Sequence, residues 1–371
     1  MNARRWGAVT ALALSGLAST AGSADARAAY GPEIAAATGP SAEWTVERDP
    51  FADLWFHGLA VVGFDGFGAI PLYDPGYGWA AAAHRATLGG PTPLEQTRGR
   101  ILASFAADPS YEVLHFVPLY LAGMPEGAAL DMLQRLGAEN GDHARGGSAG
   151  SHLHHFGSAL AAALPSHHHR EVVREFATLL APERRVLDRF ELAEIDLGAI
   201  RDAWSELASG VYGSFLAEEQ LTDGRIIVTP ALGMEGRYLD AGSGRVVAIG
   251  ATSDADPRAV AGAILRELCY PVVRRVVAPY ERRTGDRERL STVSHHVATR
   301  CGARLLTAHA PHFLPAYQAR FGSSATDAGF LSVPGIGPNT ATLMREMDRA
   351  LTRELDLDGD ESRDSPWLVR R

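Results

Sequence analysis

The segment Arg266-Glu267-Leu268-Cys269-Tyr270 holds the residues whose types and spacing come closest to a reactive set. Positions 266 and 270 are four apart, so on a helix they share one face, with Glu267 beside the first of them. With His at both positions this is the H-E-x-x-H frame, in which two imidazoles bind zinc and the Glu polarises the attacking water. The Glu is kept here and both His are replaced. A guanidinium has no lone pair to give a cation, so Arg266 cannot serve as a ligand, and the Tyr270 phenol is a poor substitute for imidazole.

A second concentration of donors lies upstream, where seven of the 14 His occur: His143, His152, His154, His155, His167, His168 and His169. On a helix starting at 166, Glu171 is the i+4 neighbour of His167 and the i+3 neighbour of His168, which puts N and O donors on one face as a weak metal candidate. The spacing matches no closed zinc pattern, and Gly146-Gly-Ser-Ala-Gly150 and Pro165 mark loops and helix starts, where solvated His is the plainer expectation. His57, beside Trp55 and Phe56, is a core or cleft histidine, and His309 and His312 sit at a helix junction as caps. Gly146 to Gly150 spells G-x-S-x-G without the strand a nucleophile elbow needs. Gly335-Ile-Gly337 lacks the frame of a phosphate loop. Asp356 to Glu361 lacks the spacing of a calcium loop.

These residues need elements to hold them. Asp49-Pro50 predicts a helix start, with apolar residues at helical spacing to Val62. Gly63 to Gly78 reads as an aromatic-rich loop, and helices are predicted at 92–107, 125–138, 151–164, 166–181 and 197–220. Arg225 to Leu232 and Arg245 to Gly250 read as two strands of a hairpin. Asp254-Ala-Asp-Pro257 then opens a helix over 257–277, despite Pro271, with further helices at about 286–308, 311–321 and 338–355.

Strand, turn, strand and then an apolar helix carrying Arg266-Glu267-x-x-Tyr270-Pro271 resembles the active-site region of zincin metallopeptidases. The nearer likeness is to a secreted, gluzincin-like branch that reads His-Glu-x-x-His-Pro on the corresponding helix. It covers roughly residues 221–310, with a looser extension to 49–62. The resemblance implies an α+β, mainly α-helical fold with a zincin-like core and a small β-hairpin or sheet before the motif helix. It places Glu267 at the general base, Arg266 and Tyr270 at ligand positions, and Ser294 or His295 at the third, with His296 and His57 as cleft candidates. No carboxylate stands at the third position, so the implied protein is catalytically silent, needs no zinc, and binds a peptide or protein along the hairpin edge. One alternative is an active hydrolase with a metal site relocated to Glu267, His295 or His296 and His57. Another is a helical binding or scaffold protein unrelated to peptidases. Cys269 and Cys301, the only cysteines, fall on the two helices a metal would join, so the resemblance implies a disulfide in its place, with two buried free thiols as the other outcome.

The 371 residues are 46% hydrophobic, enough for a sizeable core, and the cations are all Arg. Residues 1–29 read as a signal peptide: an Arg pair, a short apolar run and small residues before a mature start between Arg27 and Tyr30. Its removal takes three Arg and one Asp and moves the net charge from −9 to −11, which argues against nucleic acid as a partner. No later segment is apolar enough to span a bilayer. The expectation is a secreted or periplasmic protein with a flexible leader at 30–48, a single domain at 49–355 and an acidic tail at 356–371.

Overall fold

Four helices begin with the same grammar, a side-chain cap followed by proline. Asp49 Oδ1 accepts from Ala52 N at 2.9 Å, Asp74 Oδ1 from Tyr77 N at 2.7 Å, and Asp256 Oδ1 from Arg258 N at 2.9 Å. Thr92 and Glu95 form a reciprocal capping box. In each case proline takes a position whose N–H has no intrahelical partner, and the cap satisfies one that remains.

The computed structural model describes residues 43–65, 71–135, 163–164, 166–190, 194–211, 215–240, 244–284, 287–322 and 338–355. The signal-peptide segment, the tail, most of the predicted 151–164 helix and His143, His152, His154 and His155 lie outside the described residues. The chain is mainly helical with a small four-stranded sheet, an α+β architecture. It divides into two compact units, where one domain was expected.

The first unit contains β1 (Glu43–Glu47), α1 (Pro50–Val62), α2 (Pro75–Ala86), α3 (Pro93–Ala106), a 3-10 turn (Pro109–Phe116), α4 (Val117–Tyr120), α5 (Glu126–Arg135) and α6 (His167–Leu187). After an excursion into the second unit the chain returns with β2 (Asp223–Thr229), β3 (Arg237–Asp240) and β4 (Arg245–Gly250). Phe51, Leu54, Trp55, Phe56 and Leu59 of α1 are fully buried and share a core with Phe105, Phe176 and Leu180. Trp55 Nε1 donates to the Leu114 carbonyl at 2.8 Å, and its ring meets Phe176 edge-on at 5.1 Å. Gly58 is the contact point of α1 and α6: a Cβ there would lie 2.2 Å from Leu180 Cδ2.

The sheet order is β1-β2-β4-β3. β1 and β2 are parallel, with Thr45 opposite Arg225, and β2 and β4 are parallel, with Arg225 opposite Val246. Only β3 and β4 are antiparallel. The expected hairpin between 225–232 and 245–250 is therefore corrected: the two strands lie side by side in the same direction, and β4 turns back on β3 instead. Ile226 to Thr229 and Val246 to Gly250 are buried without alternation, the pattern of central parallel strands covered on both faces. β1 also corrects the leader, since residues 43–47 are a sheet strand.

The second unit contains α7 (Leu197–Val211), α8 (Pro257–Leu268), α9 (Tyr270–Thr284), α10 (Arg287–His309), a 3-10 turn (Pro311–Phe313), α11 (Leu314–Phe321) and α12 (Pro338–Glu354). Every residue of α8 from Ala259 to Leu268 is buried, because α7, α10 and α11 pack around it. The expected 257–277 helix is two helices, broken at Cys269. Pro271 has no N–H and its ring collides with the carbonyl four residues back, so α8 stops and α9 restarts with Pro271 in its first turn. Gly262 and Gly302 flank Tyr317: a Cβ on the first would come within 2.7 Å of the ring, and one on the second within 2.5 Å of the hydroxyl oxygen. Tyr317 Oη donates to the Thr299 carbonyl at 2.8 Å.

Candidate functional site

Arg266, Glu267, Tyr270 and His295 meet at the junction of α8, α9 and α10. Arg266 and Glu267 are each 1% exposed, and the guanidinium forms a salt bridge with the neighbouring carboxylate. Arg266 Nε donates to Thr299 Oγ1 at 2.9 Å, and Arg266 Nη2 donates to the His295 carbonyl at 3.3 Å. The Thr299 hydroxyl then donates to that same carbonyl at 3.1 Å. The Arg266 guanidinium lies 5.4 Å from the centre of the Phe321 ring, a cation–π distance. One helical turn on, Tyr270 Oη and His295 Nδ1 are 2.9 Å apart with their rings edge to face.

Three ligand positions and one base position named from the sequence thus come together, with His295 filling the third place. Ser294 does not join them. Its hydroxyl donates to the Leu290 carbonyl of its own helix at 2.7 Å. His296 is buried, and one residue beyond His295 it points about 100° further round α10.

The donor set does not fit zinc. A structural or catalytic zinc site takes three or four N, O or S ligands, and here a guanidinium holds the first ligand position and the carboxylate is committed to it. A general base must also reach its substrate, and Glu267 is enclosed. The arrangement is suited to holding helices in place, not to moving a proton.

His167 and Glu171 do approach, with Nδ1 and Oε2 3.5 Å apart, but both side chains are exposed. His168 is exposed beside them. No group of three or more His, Cys, Asp or Glu is arranged for a metal among the described residues. His312 pairs with Glu206 of α7 at 2.8 Å, tying the 3-10 turn to that helix.

The first unit carries a polar centre that the sequence pointed to only through His57. That residue does not line a cleft: it is fully buried, between α2 and α6. Arg85 Nη2 lies 3.1 Å from His57 Nε2 and also contacts Glu183 Oε2. A guanidinium can only donate, so Nε2 is the acceptor and the neutral ring carries its proton on Nδ1, which faces Tyr77 Oη at 2.6 Å. Arg85 Nη1 reaches Thr92 Oγ1 at 3.2 Å and Glu95 Oε2 at 3.1 Å, gripping the capping box of α3. Burial, together with the Arg85 charge, holds His57 below its usual value against the pull of Glu183. Burial pushes Glu183 up, but the Arg85 guanidinium paired with its carboxylate, with His57 and Thr92 close by, outweighs it, and the carboxyl ends below its usual range. Glu183 could have been found from sequence. It falls three residues after Leu180 and seven after Phe176, so it stands on the apolar stripe of α6.

No family model, curated protein or solved structure matches this chain.

Proposed function

We propose that this chain is an exported, zincin-like protein whose site has lost its metal chemistry and which acts by binding or regulation. The observation that carries the proposal is the convergence of Arg266, Glu267, Tyr270 and His295 from three helices. In that geometry the Arg266 guanidinium holds a ligand position and pairs with Glu267, and it offers no open coordination position to polarise a carbonyl or acidify water. The ligand class is a peptide or protein.

The test restores what the site lacks. Arg266→His with Tyr270→His would set two imidazoles beside His295, and this double variant is expected to take up one zinc per chain by elemental analysis, while wild type purified without metal-affinity steps takes up none. A folded double variant that binds no zinc removes the zincin-like part of the proposal. Peptide hydrolysis by wild type, lost in Glu267→Gln, removes the silent part.

A further inference from the structure

The two cysteines sit beside the polar contacts that join α8 and α9 to α10. Cys269 stands between Arg266 and Tyr270, and Cys301 is two residues beyond Thr299. The contacts Arg266 to Thr299 and Tyr270 to His295, both 2.9 Å, therefore clamp the two helical segments together on either side of Cys269. Both thiols are fully buried and free, and Cys301 is the neighbour with which the Cys269 thiol interacts. Tyr317 closes over the same place, its hydroxyl against Gly302 next to Cys301.

We propose that Cys269 and Cys301 are a cross-linking site, oxidised to an intramolecular disulfide by thiol–disulfide exchange with a small or protein disulfide oxidant. One cysteine thiolate attacks the oxidant's disulfide and expels one thiol, forming a mixed disulfide. The second cysteine thiolate attacks the protein sulfur of that bond and expels the other thiol. Two electrons and two protons leave the pair, and the oxidant becomes two thiols. With both sulfurs enclosed, the oxidant reaches them while α8, α9 and α10 are assembling, not after. Burial pushes the Cys269 thiol up, which keeps thiolate scarce in the closed fold and makes the reduced pair slow to react once packed. The cross-link would join the same helices as the polar clamp, so clamp and disulfide would hold one junction in two ways.

The inference stands on the helix packing and is independent of the zincin-like proposal, because its readout is a covalent mass and not metal or hydrolysis. The full chain is refolded with oxidised and reduced glutathione, denatured, alkylated and weighed. The expected product is lighter than the reduced chain by two hydrogens and carries no alkyl group, and its proteolytic fragments link Cys269 to Cys301. Oxidation is expected to shift the folding equilibrium by roughly a hundredfold towards the folded state, and Arg266→Met is expected to lower the denaturation midpoint less in the oxidised protein than in the reduced one. Two alkylated cysteines after oxidative refolding, or glutathione left on each separately, would overturn the proposal. Cys301→Ser separates misfolding from failed pairing: it should fold and be recovered with Cys269 as a single alkylated thiol, and a wild type that folds as well but is recovered with both cysteines alkylated rules out the cross-link.

Discussion

At the scale of single residues, the Arg266 and Glu267 pair is the sharpest case, since each charge is enclosed and each answers the other. Removing one partner leaves a buried charge uncompensated, whereas removing both leaves an apolar gap. Arg266→Met or Glu267→Leu alone should cost about 3–5 kcal/mol in denaturant unfolding, and the double variant should recover most of that loss. A double variant as unstable as the sum of the two would show that the pair does not act as a unit. The chemistry of this pair was half legible in the sequence. That Arg266 cannot hold a metal follows from its side chain alone, but its partner Thr299 is supplied by another helix, and no local pattern marks that contact. Arg85 was hidden for the same reason, because its partners His57, Glu95 and Glu183 come from three other helices.

At the scale of elements, helix starts were the most readable feature, because a capping side chain and proline act within four residues of each other. Asp74-Pro75 carries the same signal as Asp49-Pro50, yet α2 is rich in Gly and aromatic residues around its start, and composition pointed to a loop. Strand partners were not readable, since alternation or its absence reports how many faces are covered and not which strand lies beside it. Glycines show how packing overrides propensity. In Gly99 of α3 a Cβ would meet nothing within 4 Å, so Gly99→Ala should stabilise by about 0.5–1 kcal/mol through helix propensity alone. In Gly58 the same change drives a methyl into Leu180 and Phe176 and should cost about 1–3 kcal/mol. Thermal unfolding of the two variants side by side tests this, and Gly58→Ala at or above wild-type stability would show that α1 and α6 are less tightly packed than their contact implies.

At the scale of the whole molecule, the enclosed His57 centre sets how the protein answers acid. An unfolded His titrates near 6.5, and the folded His57 takes its proton only at lower pH. The unfolded chain therefore binds more protons below 6.5, so the stability this residue secures is complete above that pH and falls as the pH drops, by about 1.4 kcal/mol per unit until the folded ring titrates. Protonation would place an N–H against the Arg85 guanidinium while leaving Glu183 3.8 Å away, with His84 and Tyr77 the other titratable groups around the ring. Glu183 adds a loss of the same sign, since its lowered pKa is abandoned below about 4.5. Asp53 and Glu126, whose burial raises them, work in the opposite sense near their own ranges. Among these groups His57 has the unfolded value nearest neutrality, so as the pH falls through 6.5 it is where the unfolded chain first gains a proton that the folded chain lacks. Below 6.5, wild type should lose stability in urea titrations at successive pH values. His57→Gln, which keeps an acceptor for Arg85 but cannot be protonated there, should show a flatter profile even if its stability at pH 7.5 is lower. Hydrogen exchange should locate the loss in α1, α2, α3 and α6, the four helices that the centre joins. A wild-type profile as flat as that of His57→Gln would mean that the ring is free to reorient and pair with Glu183 once charged.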